Sequence, residues 1–349
     1  MMKLPQLTFT RFIAAFFIVV FHFGRNVSPF NQPMLADWIG LAPAGVSYFF
    51  LLSGFILTLV YNKGEKELIN KKKYFIARFF RIYPLYILAL IILITFLLLT
   101  KQIIDLRALF LQIILLQAWF PNFSVALNIP SWSLSVEMFF YVIFPFLLIG
   151  LRKIKKDWLL IIIGLLFWFI SFSLYYYGLN NSPINTSSYF HHLFNYNPLL
   201  HLNSFILGII SGLIFKRFKK PLSVSKSLIL ILAPLVIIFI LVISHHPILH
   251  YYNNGLLAPL FAVFLIGLAS DKTWLTKLLS SRPLVLLGEI SYGIYILQIP
   301  INAWWSAFFN RYLAGYPNFN FLGFFILLIL ISWLSFKFIE QPIRRCAKK

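Results

Sequence analysis

Long runs of apolar residues dominate the chain and predict helices that cross a membrane. A helix needs about 20 consecutive, mainly apolar residues to span the roughly 30 Å hydrocarbon core of a bilayer. Ten stretches have this character: residues 7–24, 43–61, 79–100, 133–150, 159–178, 194–215, 227–244, 255–270, 284–309 and 319–338. We therefore predict an all-α fold, a polytopic transmembrane helical bundle of about ten spans. Residues 1–349 are expected to form one membrane domain with no fused soluble domain.

The connections between these stretches alternate in charge and set the expected orientation. Every second connection is rich in Lys and Arg, from NKGEKELINKKKYFIAR after the second stretch to the tail EQPIRRCAKK. Basic connections stay in the cytoplasm, so both termini are expected to be cytoplasmic. An eleventh apolar stretch, residues 106–120, is short, and its crossing would place the later basic connections outside. We expect it to be re-entrant or interfacial on the outer side.

Composition excludes an ordinary soluble protein. The chain is 60% hydrophobic and 11% charged, whereas soluble domains carry about 25% charged residues. A net charge of +21 would suggest a nucleic-acid partner for a soluble protein. Here the basic residues concentrate in the predicted cytoplasmic connections, where membrane topology and anionic lipid explain them. We expect membrane lipid, and no nucleic acid, as a partner.

Two polar residues in the first apolar stretch are candidates for chemistry, namely Arg11 and His22. Arg at a helix centre costs about 2.5–3.5 kcal/mol, so such a residue is a functional candidate. In a regular α-helix the eleven-residue spacing puts both side chains on one face, about 20° apart in direction and roughly 16 Å apart along the axis. The alternative is that Arg11 reaches the inner headgroups and His22 merely lies at the outer interface.

The fourth stretch, IPSWSLSVEMFFYVIFP, carries a single acid, Glu137, at a predicted depth that matches that of His22. A carboxylate in hydrogen-bond contact with a histidine fixes its tautomer and stabilises the imidazolium. We therefore expect Glu137 to orient His22. A structural ion pair, or an acid that faces water, is the alternative.

Two arginines one turn apart mark the start of the third stretch, YFIARFFRIYPLY. Arg78 and Arg81 share one face of the predicted helix, and Lys73 belongs to a lysine run, 71–73, just upstream. Arg binds phosphate through two parallel hydrogen bonds, so we expect a polyanion here at the cytoplasmic surface. Lipid phosphate is the alternative ligand.

Other polar and small residues have more ordinary interpretations. Gly45, Ser53 and Gly54 in the second stretch favour close helix packing. In the ninth stretch, Glu289 is expected to pair with an inner arginine, and Gln298 either joins helices or contacts substrate. Five histidines fall in predicted outer connections, at positions 191, 192, 245, 246 and 250. No acid or Cys accompanies them with the spacing of metal ligands, so no metal is expected.

Six pieces of sequence occur in a characteristic order: LTFTRFIAAFFIVVFHF, AGVSYFFLLSGFILT, ARFFRIYPLY, SWSLSVEMFFYVIFP, GEISYGIYILQIP and FIEQPIRR. Together, from residue 4 to about 345, they resemble the acyltransferase 3 family of integral-membrane O-acyltransferases. The resemblance implies a ten-span bundle in a bacterial inner membrane. It also implies transfer of an acyl group, usually acetyl from cytoplasmic acetyl-CoA or another acyl-CoA, to a hydroxyl of a surface or exported glycan or lipid-linked sugar.

The resemblance also implies roles for individual residues. Arg11 and His22 match the family's essential pair. Arg78 and Arg81 match its basic motif, and Glu137 matches the acid of its Trp-Ser-Leu-x-x-Glu stretch.

The sequence departs from the family at Gln298, where many members carry His in the pattern Tyr-x-Leu-x-His-x-Pro, so a titrating role is not expected there. No SGNH-type domain follows, so transfer is expected to be completed within the membrane domain or by a separate partner.

The residues and the resemblance combine into one expected mechanism. The phosphates of acyl-CoA would lie near Arg78, Arg81 and Lys73, and His22 would deprotonate the acceptor hydroxyl as a general base. Arg11 would anchor polar groups of the donor. A covalent acyl-histidine relay is the variant left open. The competing class is a secondary transporter or flippase that uses intramembrane Arg, His and Glu as a relay.

Overall fold

The computed structural model describes residues 4–64, 69–182, 187–218, 222–313 and 315–346, and over these ranges it contains helices and no β-strand. Helices are expected in such an apolar chain because a membrane offers no water to pair with backbone N–H and C=O groups. The all-α prediction is therefore confirmed at the level of secondary structure.

Fifteen α-helices lie in these ranges, together with short 3₁₀ and π segments. They are α1 (Gln6–Val19), α2 (Pro33–Gly40), α3 (Ala44–Tyr61), α4 (Lys71–Leu99), α5 (Leu106–Ile113), α6 (Trp132–Arg152), α7 (Asp157–Asn180), α8 (Ser187–Tyr196), α9 (Leu202–Arg217), α10 (Val224–Ile243), α11 (Ala258–Ser270), α12 (Trp274–Leu279), α13 (Arg282–Leu313), α14 (Pro317–Ser335) and α15 (Gln341–Cys346). Two π-turns, Val20–Gly24 and Phe336–Glu340, extend α1 and α14.

Eight of the described helices are long and apolar enough to cross a membrane, and the number rises to nine if a bent pair counts as one span. The bent pair joins Pro247–Asn254 to α11 at 72°. The remaining predicted span, 194–215, is interrupted: its first residues belong to α8, and α9 has 16 residues, or about 24 Å of helix. The count of ten spans is thus not confirmed.

Helix α4 begins eight residues before the predicted third span. Asn70 caps its first turn, because the Asn70 side chain accepts a hydrogen bond of 3.0 Å from the backbone N–H of Lys73. A capped first turn favours a helix, but a hydropathy plot does not detect it. The helix therefore carries its basic residues beyond the apolar core.

The short apolar stretch 106–120 forms no spanning helix. Helix α5 covers only eight of its residues and leads into two 3₁₀ turns. The hydroxyls of Tyr83 and Tyr86 donate to the carbonyls of Ile113 and Gln112 at 3.0 and 2.8 Å. Because Tyr83 lies 16 residues, or about 24 Å, before the end of α4 at Leu99, the segment returns deep into the bundle. Its geometry is re-entrant rather than interfacial.

Small residues hold the centre of the bundle together, as predicted for the second stretch. A Cβ atom on Gly208 of α9 would lie 2.0 Å from the Leu51 carbonyl oxygen of α3. A Cβ atom on Gly54 would lie 2.4 Å from the Phe205 carbonyl oxygen. Real Cβ atoms do not approach so closely, so both positions require glycine for this helix contact.

Helices α1, α4 and α13 run in parallel and form the wall that carries most of the candidate residues. Tyr292 donates to the Ile82 carbonyl at 2.7 Å, and Trp304, twelve residues later, donates to the Ile92 carbonyl at 3.2 Å. Near the start of α13, Gly288 lies so close to α1 that a Cβ would be 2.0 Å from the Thr8 carbonyl oxygen. All three helices start at one end of the bundle, which we call the basic end because it includes residues 71–81.

Candidate active site

A cavity of about 200 Å³ lies among α1, α3, α4, α6 and α13. Ten apolar residues line it together with nine that carry polar side chains: Thr8, Arg11, Ser53, Arg81, Ser133, Glu137, Ser291, Tyr292 and Tyr295. Binding sites for small molecules usually combine apolar walls with a few convergent polar groups. The free volume suits an acyl group and the atoms next to it, but not a whole nucleotide-bearing donor.

Glu137 projects from α6 into this cavity and is held by two hydroxyl groups. Ser53 donates to its Oε1 atom at 3.2 Å, and Tyr141, one turn further along α6, donates to the same oxygen. Arg11 and Arg81 lie close enough to Glu137 to interact with it electrostatically. Two positive charges and two hydrogen bonds offset the desolvation of this carboxylate.

Arg11 and Arg81 face the cavity without a carboxylate in direct contact. Within the described ranges neither guanidinium has an acidic oxygen within 4.0 Å. A guanidinium carries five N–H donors, so both residues keep donors available inside a largely apolar chamber. The arrangement can bind an anion, or a carbonyl oxygen that gains negative charge during a reaction.

His22 lies in the π-turn that follows α1, and its partner is Gln298 of α13. The His22 Nδ1 atom is 2.8 Å from Gln298 Oε1, and the Gln298 side chain is fully buried. Gln298 Nε2 donates to the Tyr295 carbonyl oxygen at 2.7 Å. Since a carbonyl only accepts, this contact fixes the amide orientation and leaves Oε1 as an acceptor. The Nδ1 atom of His22 must therefore carry a hydrogen.

This arrangement leaves the other ring nitrogen of His22 available as a base. Neutral imidazole carries one N–H, so a hydrogen on Nδ1 leaves a lone pair on Nε2. In the part of the chain that the structure describes, the Nε2 atom has no hydrogen-bond partner. The peptide group of Tyr295, whose side chain lines the cavity, connects the His22–Gln298 pair to the cavity wall.

The structure corrects the expected contact between Glu137 and His22. Glu137 bonds to Ser53 and Tyr141, whereas His22 bonds to Gln298. The regular helix assumed for the spacing of Arg11 and His22 ends at Val19. A π-turn holds more residues than an α-turn, so it changes the direction of the His22 side chain from the one that a regular helix would give. Helix α13, not α6, supplies the group that orients His22.

Of the three predicted phosphate-binding residues, only Arg81 lines the cavity. Arg78 is half-buried, with its guanidinium 5.8 Å from the ring centres of both Tyr61 and Tyr141, and its Nε atom is buried without a hydrogen-bond partner. Lys73 is exposed at the basic end. The three residues thus form a series from the surface into the cavity rather than a single cluster.

Three site residues of α13, Ser291, Tyr292 and Tyr295, were not predicted from the sequence, whereas Gln298, on the same helix face, was. Ser291, Tyr292, Tyr295 and Gln298 occupy positions i, i+1, i+4 and i+7 of α13, which is the spacing of one helix face. The sequence GEISYGIYILQIP contains this spacing, but hydropathy does not show which face of the helix is directed into the bundle. Among the described residues Glu289 interacts with Arg344 electrostatically but forms no direct ion pair, so it is not the acid in contact with an inner arginine. That acid is Glu340, whose Oε2 atom accepts from Arg344 at 2.5 Å.

The fold and the site define a multi-helix membrane protein with a charged cavity and an oriented histidine, and comparison with known proteins gives it a family. The model of the acyltransferase 3 family, described as an acyltransferase domain, matches residues 4–338. The chain therefore belongs to this family, as the sequence pieces predicted. Membership does not favour the transporter or flippase alternative.

Curated relatives from Staphylococcus aureus are similar along nearly the whole chain. A protein of strain COL, provisionally named O-acetyltransferase SACOL0978, is 26% identical over 374 residues, which cover 99% of this chain and 58% of the relative. The O-acetyltransferase OatA of strain NCTC 8325 is 26% identical over 370 residues, which cover 98% and 57%. The chain thus spans less than three fifths of the length of these relatives. No solved structure matches it significantly.

Proposed function

We propose that this protein is an O-acyltransferase that moves an acyl group, acetyl in the first instance, from acyl-CoA to a hydroxyl of a surface or exported glycan or lipid-linked sugar. The observation that carries the proposal is the His22–Gln298 pair, which orients a base. His22 does not itself line the cavity that contains Arg11 and Arg81, but Gln298 is hydrogen-bonded to Tyr295, which does. The names of the relatives, which are O-acetyltransferases, favour acetyl over longer chains. Membership of the family supports O-acyl transfer as the reaction class.

His22 is the proposed general base. Its Nε2 lone pair takes the proton of the acceptor hydroxyl while the hydroxyl oxygen attacks the carbonyl carbon of the thioester. As the new C–O bond forms, the C–S bond breaks, and the proton on His22 passes to the sulfur of the departing CoA. A positioned base of this kind contributes about 10²–10⁴-fold in rate. Gln298 orients the ring but, unlike the carboxylate of a catalytic triad, adds no negative charge.

The donor enters from the basic end in this proposal. Its phosphates lie near Arg78 and Lys73, and its acyl end occupies the cavity lined by Arg81 and Arg11. The free guanidinium donors of Arg11 then contact polar groups of the donor near the thioester. Because the cavity is small and largely apolar, it favours a short acyl chain and excludes most of the water that would hydrolyse the thioester.

The direction of the helices supports the ten-span topology that we propose, with both termini in the cytoplasm of a bacterium and the protein in its plasma membrane. The parallel packing of α1 and α13 requires an even number of crossings from α1 up to the start of α13. That condition holds if α9 and the bent α11 pair both cross, and equally if neither crosses; we propose that both cross. Helix α9 also runs parallel to α3, since Leu51 meets Gly208 and Thr58 meets Gly212. Reporter fusions in the connections test this topology.

Transfer of labelled acetyl groups tests the proposed function. Membranes containing the wild type, His22→Ala or His250→Ala receive [acetyl-14C]acetyl-CoA, and label is measured in surface glycan and on the protein itself. His250 is the matched control because it is exposed and does not line the cavity. We expect label in glycan with the wild type and His250→Ala, and a loss of at least about 100-fold with His22→Ala.

Other outcomes of this experiment would separate the alternatives. Label that stays on the protein after quenching would favour a covalent acyl-enzyme over direct transfer. Equal label with His22→Ala at matched folded expression would remove His22 from the reaction. Transfer from a second acetyl donor but not from acetyl-CoA would contradict the choice of donor while leaving the acyltransferase class in place.

A further inference from the structure

The C-terminal segment 336–346 carries a buried charged pair that the mechanism above does not use. The π-turn Phe336–Glu340 and helix α15 pack against α4 near the basic end. Glu340 is 3% exposed, and its Oε2 atom accepts from the Arg344 guanidinium at 2.5 Å. A carboxylate this deeply buried fixes the position of the arginine that contacts it.

The pair belongs to the same charged cluster as the cavity. Glu340 interacts electrostatically with Arg11 and Arg81 as well as with Arg344. Arg344 in turn interacts with Arg81. Around the basic end of the cavity the cluster contains four arginines, at positions 11, 78, 81 and 344, and three carboxylates, at positions 137, 289 and 340. Three carboxylates do not neutralise four arginines, so the cluster keeps a net positive charge and an affinity for an anion.

Hydrogen-bond donors in this cluster are also unsatisfied. The Nε atoms of Arg78 and Arg344 are buried and have no partner in the described part of the chain. An unsatisfied buried donor is unfavourable, and more so when it is charged. An anion that accepts a hydrogen bond from the Arg344 Nε atom would remove that cost and also compensate the positive charge, whereas a neutral acceptor would supply only the hydrogen bond.

We propose that Arg344, held in place by Glu340, is a phosphate ligand of the donor site, so that the phosphorylated ADP part of CoA lies beside the segment 336–346 at the basic end. This inference rests on the proposed function for the identity of the donor. Arg344 presents a planar fork that matches two phosphate oxygens. Because Glu340 already restricts its rotamers, binding loses less side-chain entropy than it would with a mobile surface arginine.

Binding of CoA to the purified protein tests this inference without requiring turnover. Dissociation constants for CoA and for pantetheine, which has no phosphate, are measured for the wild type, Arg344→Gln, Glu340→Gln and Arg345→Gln. Arg345 is the matched control because it is the adjacent arginine and is exposed. We expect Arg344→Gln to weaken CoA binding about tenfold or more, with pantetheine binding unchanged. Glu340→Gln is expected to weaken CoA binding by a smaller factor, and Arg345→Gln to leave it unchanged.

The same variants separate this inference from its alternatives and from the proposed function. Unchanged CoA affinity in Arg344→Gln would overturn the inference and make the ion pair purely structural. Thermal stabilisation by phosphatidylglycerol vesicles, lost in Arg344→Gln while CoA affinity is kept, would identify a lipid phosphate as the ligand and also overturn it. If CoA binding depends on Arg344 but no acetyl donor supports transfer, the proposed function fails and the inference stands.

Discussion

Replacing Gln298 with Met tests the inferred tautomer of His22 most directly. Met has a similar volume and remains apolar, so the fully buried site stays filled. The change removes the 2.8 Å contact with His22 and the 2.7 Å contact with the Tyr295 carbonyl. The Nδ1–H group of His22 then has no partner, and the hydrogen is free to occupy either ring nitrogen.

The size of the effect follows from the two lost hydrogen bonds. Each buried group left without a partner costs about 1–3 kcal/mol. The share of this cost that arises at the Nδ1–H group of His22 lowers the rate, because the tautomer with hydrogen on Nε2 cannot accept a proton there. A cost of about 1.5–3 kcal/mol corresponds to a fall in kcat of roughly 10- to 150-fold. The KM for the acyl donor should change little, because no donor-binding group is altered.

The assay is steady-state transfer of labelled acetyl groups, with kcat and KM measured for Gln298→Met, Gln298→Glu and Gln117→Met. Gln117 is the matched control: it is fully buried and bonded to Ser131 at 2.9 Å, but does not line the cavity. We expect Gln117→Met to keep its kcat. Gln298→Glu should lose less than Gln298→Met, because its carboxylate still accepts from Nδ1. A wild-type kcat for folded Gln298→Met would refute the role assigned to Gln298.

Three further predictions concern the cavity and the packing around it. Arg11→Lys keeps the charge but loses the planar donor fork, so kcat/KM for transfer should fall about tenfold at equal expression; an unchanged value would place Arg11 outside the donor site. Glu137→Gln leaves two guanidinium groups uncompensated and should lower stability by about 1–3 kcal/mol, measured as a lower Tm in detergent; an unchanged Tm would contradict the electrostatic role. Gly208→Ala places a Cβ 2.0 Å from the Leu51 carbonyl oxygen and should cost about 1–3 kcal/mol or prevent assembly. Gly150→Ala, with open space around the new Cβ, is its control and should keep the wild-type Tm.

The sequence by itself determined the class of the fold and the main features of its assembly. Helix positions follow from apolar runs because a lipid environment forces backbone groups to pair within the same segment. The glycine at position 54 marked a close helix contact, since only a missing side chain allows such an approach. Residues 106–120 were too short to cross, and hydrogen bonds from the hydroxyls of Tyr83 and Tyr86 show how their non-spanning backbone is accommodated.

Only the tertiary structure decided which polar groups meet. His22 and Gln298 are 276 residues apart in the chain, and Glu137 could have met either His22 or Ser53 at a similar depth. Hydropathy gives the length and the depth of a helix but not its rotation or its neighbours. A single π-turn after Val19 changes the direction of His22, and the glycine at position 288 sets how closely α13 approaches α1. Both effects depend on contacts between helices, which the pattern of apolar residues along one helix does not contain.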